Sequence, residues 1–73
     1  MMQSAREQFA ANLRESRVRC GISQERLASR CELHRSEISL IERCRRSPRL
    51  ETIVILARGL QLASPAELLE GIA

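Results

Sequence analysis

The stretch GISQERLASRCELHRSEISLIER, residues 21–43, predicts two short helices joined by a tight turn. Ser23 lies where a helix N-cap is expected, and a first helix follows over residues 24–30. That helix is too short to be stable alone, so it must pack against its neighbours. After a three-residue break, a second helix is expected over residues 35–43, with an apolar stripe so narrow that one broad face stays exposed.

Helix-breaking residues divide the rest of the chain into three more helix-length segments. We expect helices over residues 5–19, 50–60 and 65–72, the first of which ends before Gly21. The basic run over residues 44–49 is predicted to be a loop, because the residue before a proline is held out of the helical conformation.

Chain length and composition limit the fold to one small helical domain. A chain of 73 residues buries only about 60% of its unfolded surface, so it cannot be divided into two cores. Phe9 is the only aromatic residue, so the core must consist of Leu, Ile, Val and Ala side chains. Ser64 and Glu67 have the spacing of a capping box at the start of the last helix. We therefore predict one all-α domain over residues 1–73, a compact five-helix domain whose central helix-turn-helix spans about residues 23–43.

Arginine supplies all the positive charge of the chain. Twelve Arg residues face nine Glu residues, with no Lys and no Asp, and the net charge is +3. This modest basic excess favours a polyanionic partner without proving one. Because the chain has one histidine, no tyrosine and no glycine-rich phosphate loop, we predict neither catalysis nor a cofactor. No apolar run approaches the roughly 18 residues of a membrane span, so we expect no membrane contact and a cytoplasmic protein.

The three cysteines, Cys20, Cys31 and Cys44, are an odd number without a close pair, which argues against disulfides and for a reducing cytoplasm. We expect all three to be small buried apolar side chains. Cys31 and His34 have the spacing of metal ligands, but they straddle the turn and lack a second close pair, so no metal site is predicted. Cys44 lies between arginines that would favour a thiolate, which leaves a redox-sensitive thiol as an alternative.

The exposed face of the second short helix carries side chains that can contact base edges. Positions spaced i, i+1, i+4, i+5 and i+8 share this face, opposite Ile38 and Ile41. They are Arg35, Ser36, Ser39, Leu40 and Arg43. Arginine can bind guanine O6 and N7 through two hydrogen bonds, serine can bind several bases, and leucine can contact a thymine methyl group. The first four are the predicted base contacts, and a merely solvated helix face is the alternative.

Three motifs occur in order along the chain: GISQERLA at residues 21–28, HRSEISLIER at residues 34–43 and RSPRLETI at residues 46–53. Together they resemble the Xre or lambdoid-repressor helix-turn-helix family, and the resemblance covers about residues 9–70. It implies a compact five-helix domain, often dimeric, whose third helix lies in the major groove and reads operator DNA.

The resemblance also assigns roles to residues outside the base-reading face. It implies that Gln24 bonds a phosphate and braces the recognition helix. Four arginines fall where the family contacts the DNA backbone, and these predicted phosphate contacts are Arg43, Arg45, Arg46 and Arg49. Arg17 and Glu42 fall where the family forms a partly buried ion pair, so the resemblance implies a structural role for these two side chains.

Three positions depart from the family pattern. Glu32 and Cys44 stand where the family usually has glycine, and Arg49 stands where a Ser or Thr usually caps a helix. If the backbone keeps its left-handed geometry, each non-glycine residue destabilises the domain by about 1 kcal/mol.

The predicted function is sequence-specific binding of double-stranded DNA by a transcriptional regulator, favoured as a repressor, that acts as a homodimer on palindromic operators. Two alternatives remain open. One is a restriction-modification controller, and the other is an antitoxin or adaptor whose main partner is a protein such as a toxin or RNA polymerase.

The last two predicted helices carry more apolar side chains than one small core obviously covers. They are Ile55, Leu62, Leu68, Leu69 and Ile72. An exposed apolar patch on a small protein usually marks an interface, so we predict a homodimer interface built from Leu68, Leu69 and Ile72. The alternative is that all five side chains belong to the core.

Overall fold

The computed structural model describes residues 4–72, and all of the regular structure within that range is helical. The elements are α1 (Ala5–Cys20), α2 (Gln24–Cys31), α3 (Arg35–Glu42), α4 (Leu50–Gly59) and a 3₁₀ helix at Pro65–Leu69. The predicted all-α fold is confirmed, and α1 to α4 begin at the predicted residues and end one residue from the predicted ends. None of the described helices is both long enough and apolar enough to cross a membrane.

The prediction of a fifth α-helix reaching residue 72 is wrong. The last element is a 3₁₀ helix of five residues, after which Glu70 is extended, with φ −61° and ψ 134°, and Gly71 has φ 82°. The capping box of Ser64 and Glu67 forms as predicted. The residues between Pro65 and the left-handed glycine are too few to nucleate an α-helix, and 3₁₀ geometry is typical of such short segments.

Capping contacts explain where the first two helices begin. The main-chain nitrogen of Glu7 donates to Ser4 Oγ at 3.1 Å, and the Ser4 nitrogen donates to Glu7 Oε1 at 2.9 Å. This capping box at the start of α1 was not predicted. Ser23 is the predicted N-cap of α2, since its Oγ accepts from the Arg26 nitrogen at 3.0 Å. Gly21 ends α1 in the left-handed conformation, with φ 76°.

Two of the departures from the family pattern keep left-handed backbone geometry. Glu32, which ends α2, has φ 56°, and Cys44, in the turn after α3, has φ 61°. Gln61, after α4, is a third such residue, with φ 58°. Side chains other than glycine rarely adopt this geometry, so each destabilises the fold by about 1 kcal/mol.

The core collects apolar side chains from every helical element. Its largest fully buried side chains are Leu13, Leu27, Ile38, Ile41, Leu56 and Leu68. Phe9 is buried with them. Helices α2 and α4 approach so closely that a Cβ added at Gly59 would lie 2.5 Å from Cys31 Sγ. These contacts hold α2 and α3 against the rest of the domain.

The expectation that all three cysteines are buried holds for Cys31 alone. Cys31 lies in the core, whereas Cys20 is exposed and Cys44 is half-buried. Cys20 is the last residue of α1, on the outer side of the helix end, and Cys44 lies in a surface turn. Position in the chain, rather than apolar character, decides the exposure of these two side chains.

Candidate nucleic-acid interface

The turn between α2 and α3 places α3 at the surface of the domain. It is closed by a main-chain hydrogen bond from the Leu33 nitrogen to the Ala28 oxygen, at 2.9 Å. Ile38 and Ile41 anchor one side of α3 in the core, where both are fully buried. The opposite side of α3 is left uncovered within the described residues.

The uncovered side carries the four predicted base contacts. Arg35 and Ser36 are exposed, and Ser39 and Leu40 are half-buried. Arg35 Nη1 lies 4.0 Å from Glu25 Oε2 on α2, and both side chains are mostly exposed. An exposed pair at this distance contributes little, so it leaves Arg35 able to exchange Glu25 for another partner. The four side chains share one helix face, and their contacts with bases remain predictions.

A buried ion pair fixes the end of α3 to α1. Arg17 Nε donates to Glu42 Oε2 at 2.7 Å and Arg17 Nη2 donates to Glu42 Oε1 at 3.1 Å, with side chains only 14% and 4% exposed. Arg17 Nη1 donates to the Ile22 main-chain oxygen at 2.9 Å. Gln24 Nε2 donates to Glu42 Oε1 at 3.1 Å and so adds α2 to the network. Arg17 and Glu42 thus lie together as predicted, and the network ties the end of α3 to α1 and α2.

The basic loop, residues 43–49, directly follows α3 and leads to α4. Four of the five predicted phosphate contacts are exposed on it: Arg43, Arg45, Arg46 and Arg49. The fifth, Gln24, is half-buried at the start of α2. The Arg45 nitrogen donates to the Leu40 oxygen at 2.8 Å, which folds the start of the loop back onto α3. Arg49 is the N-cap of α4 and makes no side-chain capping bond, so its side chain is not used to stabilise that helix.

One contact with the basic loop was missed in the sequence. Arg6, in the first turn of α1, donates through Nε to Ser47 Oγ at 2.9 Å, across 41 positions of the chain. An arginine in the first turn of a helix gives no signal of a contact so distant in sequence. Only the packing of α1 beside the loop brings the two side chains together.

Comparison with known proteins agrees with this geometry. The profile of a helix-turn-helix domain matches residues 8–70. Control protein C.SmaI from Serratia marcescens is 40% identical over 60 residues, covering 82% of this chain and 71% of that protein. The chain belongs to the Xre-type helix-turn-helix family.

Solved structures of helix-turn-helix proteins superpose closely on this one. The restriction-modification controller protein C.AhdI from Aeromonas hydrophila has a TM-score of 0.83 and 40% identity, covering 86% of this chain and 94% of that chain. The hypothetical transcription factor NHTF from Neisseria has a TM-score of 0.86 and 39% identity, covering 92% of this chain and 76% of that chain. As the resemblance predicted, this helix-turn-helix protein is a DNA-binding transcriptional regulator.

The predicted dimer residues of this helix-turn-helix protein differ in exposure. Leu68 is fully buried in the chain's own core, so assigning it to a dimer interface is wrong. Ile72 is half-buried against the core, as are Ile55 and Leu62. Leu69 is 41% exposed and remains available.

Among residues 4–72, no group of three or more His, Cys, Asp or Glu side chains lies close enough to hold a metal ion. Burial raises the pKa of the Cys31 thiol, whose Sγ donates to the Ile55 oxygen at 3.5 Å. Cys44 Sγ lies 4.0 Å from the Arg6 main-chain oxygen.

Proposed function

We propose that this regulator binds a palindromic operator as a homodimer, with α3 of each copy in a major groove, and that it is a controller of the restriction-modification kind. The observation that carries the proposal is the way in which α3 is anchored to the domain and presented at its surface. Its polar face is uncovered, its apolar face is anchored by Ile38 and Ile41, and its end is held by the Arg17 and Glu42 pair. A protein with this role acts on double-stranded DNA in the cytoplasm and needs no cofactor.

The uncovered face of α3 supplies the sequence-reading contacts. Arg35, at the start of the helix, takes a guanine edge with two hydrogen bonds, because the planar guanidinium matches O6 and N7. Ser36 and Ser39 bond neighbouring base edges, and Leu40 contacts a thymine methyl group. Arg35 exchanges its weak contact with Glu25 for the base.

The basic loop supplies contacts with the DNA backbone. Arg43, Arg45, Arg46 and Arg49 bind phosphates on one side of the groove, and Gln24 binds one at the start of α2. Such contacts position the protein and supply salt-dependent affinity, but they carry no sequence information. The similarity to control protein C.SmaI and to the restriction-modification controller protein C.AhdI, each about two fifths identical to this chain, supports the controller role.

A second copy of the chain covers the apolar surface at the end of the domain. Leu69 is the preferred contact, with Ile72 at its edge. A two-fold dimer separates its two recognition helices by about 34 Å, one turn of DNA, so that both reach equivalent half-sites. Joining two weakly binding domains also raises affinity through effective concentration.

Selection from a library of random duplexes, followed by sequencing, tests the proposal. We expect enrichment of an inverted repeat whose half-sites are about 10 base pairs apart. Enrichment of a single half-site, or of no sequence, would contradict the proposal.

Sedimentation equilibrium of the wild type, of Leu69→Glu and of the matched control Val18→Glu tests the interface. Val18 is an exposed apolar residue of α1, 60% exposed, and lies on a different helical element from Leu69. We expect a dimer for the wild type and the control and an 8.3 kDa monomer for Leu69→Glu. A monomeric wild type at tens of micromolar would contradict the dimer.

A further inference from the structure

The first turn of α1 is joined to the basic loop. Arg6 Nε donates to Ser47 Oγ at 2.9 Å, and both side chains are exposed. A second contact brings Cys44 Sγ to 4.0 Å from the Arg6 main-chain oxygen. The positive charge of Arg6 therefore lies at the edge of the surface that carries Arg45 and Arg46.

The position of Arg6 is fixed by the local structure of α1. Ser4 and Glu7 form a capping box on either side of Arg6, so the backbone of Arg6 is already part of the helix. The carboxylate of the neighbouring Glu7 takes part in the same capping box, because Glu7 Oε1 accepts a hydrogen bond from the Ser4 nitrogen at 2.9 Å. Among the ion pairs found within residues 4–72, none includes Arg6. Its charge is therefore held in place and is not neutralised by any carboxylate of the described residues.

The bond with Ser47 uses only part of the guanidinium. Arginine has five N–H donors in a planar fork, and toward residues 4–72 only the Nε donor of the side chain is used. The two Nη groups keep four donors, and such a fork suits the oxygens of a phosphate group. Arg6 can therefore hold the loop through one edge and bind an anion through the other.

We propose that Arg6 is a further phosphate contact, which extends the DNA-binding surface from the basic loop onto the first turn of α1. Nε holds Ser47 and so orients the guanidinium, and the Nη groups bind a backbone phosphate beside those bound by Arg45 and Arg46. The inference rests on the proposed function, because it needs the basic loop to lie along the DNA backbone.

The test measures affinity for the selected duplex and for a random duplex between 50 and 200 mM salt, with Arg6→Gln and the control Arg19→Gln. Arg19 has the same charge on the same helix, but it pairs with Glu15 at 2.7 Å, near Glu67 and Glu70. We expect Arg6→Gln to weaken both duplexes alike and to reduce the slope of log affinity against log salt by about 0.9 for each copy, about 1.8 for the dimer. The deficit of the dimeric variant relative to the wild type therefore shrinks by about 12-fold over this range of salt. Arg19→Gln should keep the wild-type slope.

Ser47→Ala tests the orienting bond. We expect it to weaken binding in the wild type and to have no further effect in the Arg6→Gln background, because the bond is already lost there. Equal affinities and slopes for Arg6→Gln and Arg19→Gln would overturn the inference while leaving the proposed function intact. A wild type that binds neither duplex would overturn both. Thermal unfolding of each variant verifies that these exposed substitutions leave the fold unchanged.

Discussion

Glu42→Ala removes a carboxylate that accepts three hydrogen bonds inside the domain, two from Arg17 and one from Gln24. Arg17 then keeps only its bond to the Ile22 main-chain oxygen, at 2.9 Å. Removing one partner of a buried ion pair destabilises a protein by about 3 to 5 kcal/mol, because the other charge is left uncompensated. Since Arg17 is 14% exposed and water reaches part of it, we expect the lower end, about 3 kcal/mol.

Urea unfolding followed by far-UV circular dichroism measures this loss. At roughly 0.05 to 0.15 kcal/mol per residue, a chain of 73 residues has an unfolding free energy of about 4 to 11 kcal/mol, so the change is large. The matched control is Glu15→Ala, which breaks an exposed pair with Arg19 at the same 2.7 Å distance and should lower stability by less than about 1 kcal/mol. A double-mutant cycle of Arg17→Ala and Glu42→Ala with no coupling energy would refute the reasoning.

Three further predictions concern backbone geometry and the cysteines. Gly59→Ala should destabilise the domain by about 1 to 3 kcal/mol in urea unfolding, because the added Cβ would lie 2.5 Å from Cys31 Sγ, and this outweighs the better helix propensity of alanine. Adding Cys31→Ala should restore part of the lost stability. Glu32→Gly and Cys44→Gly should each stabilise the domain by about 1 kcal/mol, since both positions have positive φ, and unchanged urea midpoints would count against this strain. Iodoacetamide followed by mass spectrometry should label Cys20 first and Cys31 last, because Cys31 is buried and burial raises the pKa of its thiol; early labelling of Cys31 would contradict its packing.

Local patterns predicted most of the fold. Breakers and N-caps such as Gly21 and Ser23 act on neighbouring residues, so the bounds of α1 to α4 could be read with an error of one residue. The last helix was predicted wrongly, because the predicted range continued through Gly71, whose left-handed backbone ends the segment. Too few residues are then left after Pro65 for an α-helix, and the apolar pattern of the segment does not reveal this.

The candidate site was likewise predicted only in the parts that local spacing or the family resemblance describes. Spacing along α3 places Arg35 and Ser36 on one face, and the family resemblance pairs Arg17 with Glu42. The contact of Arg6 with Ser47 joins residues 41 positions apart, and no periodicity within one helix predicts it. The prediction that all three cysteines are buried was wrong because the exposure of a small apolar side chain is set by its backbone position. Cys20, which is exposed at the end of α1, illustrates this.

The central claim is that α3 reads sequence while the basic loop binds the DNA backbone, and comparing Arg35→Ala with Arg46→Ala tests it most directly. Affinities for the selected duplex and for a random duplex of equal length are measured at one salt concentration. Arg35→Ala should weaken binding to the selected duplex by about 1 to 3 kcal/mol, about 5- to 150-fold, at each half-site, and weaken the random duplex much less. Arg46→Ala should weaken both duplexes by the same factor. Equal losses on the two duplexes for Arg35→Ala would contradict the account.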